Sequence, residues 1–326
     1  MIDPPGESEL LRHIAERSAG LAAVFGEAVV GPGDDCAVVA VGSGQGAPGT
    51  GQRAPSSEQK TLLLVTVDQL VAGRHFEQGT EIDLIARKAV ARSISDIAAM
   101  GGRPAWGLAT GLLPDGYADG DALFDAMAAW ARRWGAPLIG GDIAFGPGPL
   151  SLTVTVAGWM EEGSTPLLRS GAQVNDEIWL TGQIGGSFAS GWHLRFDPRI
   201  EAGAAAARSG RVRAMIDLSD GLGRDASRVG AASGVVLEIE AARLPISHRC
   251  GSWREAVGEG EDYELLICAR PTHPEVGGAP FEADPTLIGP VGRVRACAEG
   301  ERPGAVIIDP YGVPHDAAEL GWDHGA

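Results

Sequence analysis

Cysteine is scarce in this chain of 326 residues: Cys36, Cys250, Cys268 and Cys297 are the full complement, and no two form a CxxC pair. That spacing argues against a disulfide framework and against a cysteine-based zinc site in a chain of this length. Basic residues are also few, with 26 Lys and Arg against 43 Asp and Glu and a formal net charge of −17. So acidic a surface repels nucleic-acid phosphates, so neither DNA nor RNA is expected as a partner. It admits an anionic nucleotide only where metal ions screen the carboxylates, and it suits a cationic substrate head. No run approaches the ~18 apolar residues of a spanning helix. The opening MIDPPGESELL has neither the basic nor the apolar part of a signal peptide, so a cytoplasmic protein with no membrane partner is expected. Three active-site signatures are missing as well. Thr181-Gly182-Gln183-Ile184-Gly185-Gly186-Ser187 lacks the Lys-Ser/Thr pair of a nucleotide-binding P-loop. No EF-hand spacing occurs, and no Ser/His/Asp or Cys/His arrangement stands out.

What is present suffices for packed cores: 44% of residues are hydrophobic, and the length fits two domains. Periodicity predicts an amphipathic helix over 7–20 and a strand over 35–41. A Gly/Pro/Ser-rich surface excursion over 42–60 follows, then a strand Thr61–Val67 that ends at Asp68. The clearest helix spans 82–100, with Ile82, Ile85, Ala89, Ser93 and Met100 on one face and Arg87 and Lys88 pointing elsewhere. A second helix is expected over 119–134 and a strand over Leu150–Trp159. Turn-rich Glu161–Ser170 then marks a boundary near residue 163, dividing the chain into 1–163 and 164–326. Beyond it come a strand over 177–181, a Gly-rich turn with a short helix over 182–192 and a strand over 214–218. A helix over 221–232 and strands over 235–240 and 263–269 complete the reading. Strands and helices alternate with mixed spacing, which implies an α/β or α+β class.

The chemistry is carried by aspartates in short Gly- or Ser-flanked segments: Gly31-Pro32-Gly33-Asp34-Asp35, Thr66-Val67-Asp68, Ser93-Ile94-Ser95-Asp96, Gly140-Gly141-Asp142 and Asp217-Leu218-Ser219-Asp220-Gly221. One such Asp is a turn. Several, without a compensating basic cluster, suggest a hard-cation site, because Mg²⁺ prefers carboxylate oxygens and shares its shell with substrate phosphates. Asp96 is the sharpest: it falls within the apolar stripe of its helix, where a carboxylate is costly unless paired or metal-bound. The bland alternative is an Asp held by a backbone donor or an Arg. Asp217–Gly221 sits at a strand-to-helix junction, where Ser219 or Asp220 could cap the helix or the helix N-terminus could face a phosphate. His75 alone is a structural hydrogen-bonder as readily as a functional group. The acids of Glu259-Gly260-Glu261-Asp262-Tyr263-Glu264 could form a solvated strand edge.

In order, GPGDDCAVV, TVDQLVAGRHF, RKAVARSISDIAAMGGRPAWGLATGLLP, LIGGDI, LLRSGAQVNDEIWLTG, IDLSDGLGRDASRVGAASGVVLEIE, LPI and GEDYELL cover most of residues 30–270. They resemble the thiamine-monophosphate kinase family, within the superfamily of aminoimidazole ribonucleotide synthetase, selenophosphate synthetase and a hydrogenase maturation protein. The resemblance implies a two-domain fold of that superfamily, with a mixed or antiparallel N-terminal sheet and a C-terminal α/β domain. It implies direct phosphoryl transfer from ATP to thiamine monophosphate, with no covalent phosphoenzyme. Several Mg²⁺ ions would be held by Asp35, Thr66, Asp68, Asp96, Asp142, Asp217 and Asp220. Gly141, Asp142, Arg169 and Ser219 would contact ATP, while His75, Glu261 and Trp322 would contact the acceptor. A homodimer built through the N-terminal domains is implied too. The alternatives are another superfamily enzyme acting on a different small molecule, or a non-catalytic nucleotide binder that has kept the fold.

Overall fold

In a computed structural model of the chain, the described residues are 28–31, 33–41, 61–271, 278–283 and 287–321. The helix expected over 7–20, the excursion over 42–60 and Trp322 lie outside them.

Two sheets organise these residues. The first has the order β1-β2-β3-β6-β4-β5, with β1 Ala28–Val30, β2 Ala37–Val41, β3 Thr61–Val71, β4 Arg103–Pro114, β5 Leu138–Gly146 and β6 Ser151–Trp159. Its pairs are antiparallel except β4 with β5. The second has the order β13-β12-β9-β11-β7-β10-β8, built from β7 Glu177–Leu180, β8 Val212–Asp217, β9 Val236–Glu240, β10 Leu265–Ala269, β11 Ile288–Arg295, β12 Gly304–Ile308 and β13 Pro314–Asp316. Each sheet has its own hydrophobic core, and a third cluster joins them through Ala99, Trp179, Ala202 and Met215. Among the described residues no helix is long and apolar enough to cross a membrane.

Helix α1, Ile82–Ala99, is the spine. It packs on β3 and β6 of the first sheet and reaches β8 of the second. Covered on several sides, it is buried nearly all round. Arg87 and Lys88, expected to point away from the core, are 8% and 0% exposed. Helix α2, Gly120–Arg133, packs against α1. Helix α3, Ile200–Ser209, crosses α1 so closely that a Cβ on Gly203 would lie 2.0 Å from the Ala98 carbonyl oxygen; only a glycine fits there. Helices α4, Leu222–Ser233, and α5, Trp253–Gly258, complete the second domain.

Three local expectations need correction. β3 runs on to Val71, so Asp68 lies inside the strand, paired with Val154, rather than at its end. The short helix expected over 182–192 is a turn followed by a single 3-10 turn, Trp192–Leu194. Neither Ser219 nor Asp220 caps α4: its N-cap is Gly221, at φ +99°, with no side-chain cap bond. Instead the Asp225 carboxylate accepts from the Asp220 N–H at 3.0 Å.

Candidate active site

The pleat of β3 places Leu64, Thr66, Asp68 and Leu70 on one face and turns Val67 and Gln69 to the other. Asp96 comes from α1, Asp217 from the last residue of β8, and Asp35 from the Gly-rich segment before β2. These elements converge where α1 passes between the sheets. One oxygen from each of Asp35, Asp96 and Asp217 lies within 4.8 Å of the others. Thr66 Oγ1 donates to Asp96 Oδ2, and Ser95 Oγ donates to Asp217 Oδ2 at 2.6 Å. Burial pushes the Asp96 carboxyl well above its usual range, and the charges of Asp68, Asp217 and Asp35 push it further. Asp217 is raised for the same reasons, burial first and then Asp35. The neighbouring Cys36 thiol is pushed up by burial and by the same aspartates. Asp35 Oδ2 is buried without a partner. Carboxylates crowded in this way are held ionised by a cation, and an all-oxygen donor set fits a hard divalent ion such as Mg²⁺.

Arginines rim the cluster. Arg169 donates its backbone N–H to Asp34 Oδ1 and its Nη2 to Asp35 Oδ1, both at 2.6 Å, fastening the Gly-rich segment to the start of the second domain. Arg92 Nη2 stands 3.5 Å from Asp68 Oδ1, and Nη1 donates to the Gln69 carbonyl at 2.8 Å. Arg228 pairs with Asp220 at 2.5 Å and with Asp225 at 2.7 Å. Asp225 is fully buried, and burial lifts it to about 7 despite Arg228.

The segments around Asp217 and Glu261 zip together beyond the β8–β10 ladder. Leu218 N–H donates to the Glu264 carbonyl at 2.8 Å, Tyr263 N–H to Leu218 at 2.9 Å and Glu261 N–H to Ser219 at 2.8 Å. The acids after Gly260 are therefore no solvated edge: Asp262 and Glu264 are 0% and 2% exposed. Asp262 accepts from Gly185 N–H, Glu259 from Gly186 N–H, and Glu264 from Arg199 and the Thr181 hydroxyl. Glu261 and Tyr263 adopt left-handed backbone, φ 61° and 53°, a strained state that clusters at functional sites. His75 is 8% exposed, and its Nδ1 accepts from the Val71 N–H at 2.9 Å.

One residue is set apart. Asp142 lies on the exposed edge strand β5. Counting across the sheet, Asp68 is level with Val154, Ala109 and Gly141, and Gln69 with Thr153, Thr110 and Asp142. Asp142 is thus three strand spacings, about 14 Å, from β3 and on the face opposite Asp68. Within one chain it does not join Asp35, Asp96 and Asp217. Lys88, Arg92 and Ser95 sit in no motif that marks them as site residues, although Lys88, Arg92 and Asp96 follow a four-residue spacing that sets them along one side of a helix.

Residues 33–160 match the family model of AIR synthase related protein, N-terminal domain. The chain is 36% identical over 278 residues to thiamine-monophosphate kinase of Rhodopirellula baltica, covering 81% of this chain and 82% of that protein. It is 34% identical over 270 residues to thiamine-monophosphate kinase of Escherichia coli K12, covering 73% and 75%. The solved structure of AaThiL complexed with AMPPCP and TMP superposes with a TM-score of 0.75 over 98% of this chain and 97% of that one, at 24% identity, a likeness of fold.

Proposed function

The chain belongs to the thiamine-monophosphate kinase family, and from that premise we propose that it transfers the γ-phosphoryl group of ATP directly to the phosphate of thiamine monophosphate, giving thiamine diphosphate and ADP in the cytoplasm. The observation that carries this reading is the convergence of Asp35, Asp96 and Asp217, with Thr66 and Asp68 beside them, at the junction of the sheets. Phosphoryl transfer asks for positioning and charge neutralisation rather than a protein nucleophile. When bound, Mg²⁺ supplies that neutralisation between two phosphate-bearing substrates.

In this reading Asp35, Thr66, Asp68, Asp96, Asp217 and Asp220 hold several Mg²⁺ ions. Arg169 and Ser219 contact ATP. His75, Glu261 and Trp322 contact the acceptor. Residues 1–163 form the ATP-, metal- and dimer-forming domain, and 164–326 the C-terminal domain. Gly141 and Asp142 serve ATP and metal from an edge strand, which is intelligible if the protein is a homodimer. The outer face of the first sheet supports that assembly, with Val67, Leu108 and Leu112 exposed at 61%, 37% and 40%.

The test is ³¹P NMR of the purified protein with ATP, excess Mg²⁺ and thiamine monophosphate, with Asp96→Asn as the control. Thiamine diphosphate and ADP are expected from the wild type, with turnover abolished by EDTA and by the substitution. ADP with free phosphate and no thiamine diphosphate would move the acceptor to another small molecule.

A further inference from the structure

Lys88 lies in the middle of α1 and is 0% exposed. Its ammonium has three N–H donors, and it meets three partners from different segments, two by hydrogen bond and the third as an ion pair. These are the His75 carbonyl at 2.7 Å, in the loop after β3; His193 Nδ1 at 2.6 Å, in the 3-10 turn Trp192–Leu194; and Glu261 Oε2 at 2.7 Å, in the left-handed loop before β10. Phe188 stacks on His193 at 4.4 Å and closes the cluster. A buried charge held by two hydrogen bonds and one ion pair is a poor source of net stability compared with an apolar side chain of similar volume. What it provides is geometry. It holds one residue of the first domain and one of the second in fixed relation, and these are the two described residues assigned to the acceptor, His75 and Glu261.

We propose that Lys88 is a positioning residue for the acceptor: its buried ammonium sets the placement of His75 and Glu261 across the domain junction without touching the substrate. The inference rests on the kinase reading above. The metal cluster is held independently of Lys88, through Thr66 and Ser95, so the effect of losing Lys88 falls on the acceptor and spares the nucleotide.

Steady-state kinetics of Lys88→Met and Lys88→Arg, with both substrates varied, test this. In Lys88→Met the KM for thiamine monophosphate is expected to rise about tenfold or more while that for ATP stays within about twofold. Lys88→Arg, which keeps the charge, should fall between Lys88→Met and the wild type. A double variant, Lys88→Met with Glu261→Gln, should lose less than the two single losses multiplied together, because the part of the Lys88 effect that runs through Glu261 is already gone. KM values that rise together, or do not move, would overturn the proposal, as would additive effects in the double variant. If Lys88→Met does not fold, the same KM split in Lys88→Arg decides. A wild type that makes no thiamine diphosphate would sink the kinase reading itself. An active wild type whose Lys88 variants show no split sinks only the role of Lys88.

Discussion

His193 carries the clearest pH signature of any single residue in the acceptor cluster. Burial pulls its imidazole down to about 4, and the adjacent Lys88 ammonium adds to the effect. Lys88 is itself drawn down by burial to about 8 against the pull of Glu261, so it stays charged at neutral pH. Burial would raise the Glu261 carboxyl, but Lys88 and Arg92 outweigh it and hold it below its usual range. The folded protein therefore keeps His193 neutral and accepting at Nδ1. In the unfolded chain a histidine takes up its proton near pH 6.5. The folded pKa lies below the unfolded one, so the stability associated with His193 is complete above about pH 6.5 and is lost progressively as pH falls from there to about 4. His193→Gln keeps an acceptor for Lys88 but cannot titrate. The Tm advantage of wild type over His193→Gln should shrink between pH 7 and pH 4.5. An advantage that stays constant would show that the ring is not held neutral.

At the scale of the element, α1 decides both stability and site. Its apolar stripe and the misplaced-looking Asp96 were legible in the sequence, because an inward carboxylate breaks a 3.6-residue pattern. Lys88 and Arg92, on one stripe with Asp96, break no apolar pattern and so are not legible in the same way. Apolar periodicity alone describes a one-sided helix, whereas the second sheet and α3 cover what such a helix would leave to solvent. The crossing with α3 offers a test in which two effects have opposite signs. Helix propensity alone predicts that Gly203→Ala stabilises the protein by about 1 kcal/mol. The Ala98 carbonyl, 2.0 Å from the added Cβ, must instead move, taking with it the turn that follows Asp96. Overpacking of this kind costs about 1–3 kcal/mol. We expect the urea midpoint of Gly203→Ala to fall and its kcat to fall with it. A raised midpoint would mean that the two helices separate freely.

For the whole molecule, strand order is what the chain alone conceals. β4 follows directly on the Gly-rich stop of α1, and β5 is too rich in glycine to show a strand pattern, so neither was foreseen. Yet their non-local pairing alone decides that Asp142 is remote from Asp68. The family resemblance places all the aspartates in one prospective site, but the register separates one of them. In the proposed homodimer the separation has a use. Asp142 shares its face with Leu108 and Leu112, and a second copy packed on that face would receive Asp142 at its own site. A mixing experiment distinguishes this from action within one chain. Asp142→Asn and Asp96→Asn are each expected to be inactive alone. If Asp142 acts across the interface, a mixed dimer has one site with both residues intact and one with neither. Half of randomly reassorted dimers are mixed, and half of their sites are complete, so unfolding and refolding an equimolar mixture should restore about a quarter of wild-type activity. If Asp142 serves its own chain, every site in the mixture lacks one residue and activity stays at the level of the separate variants.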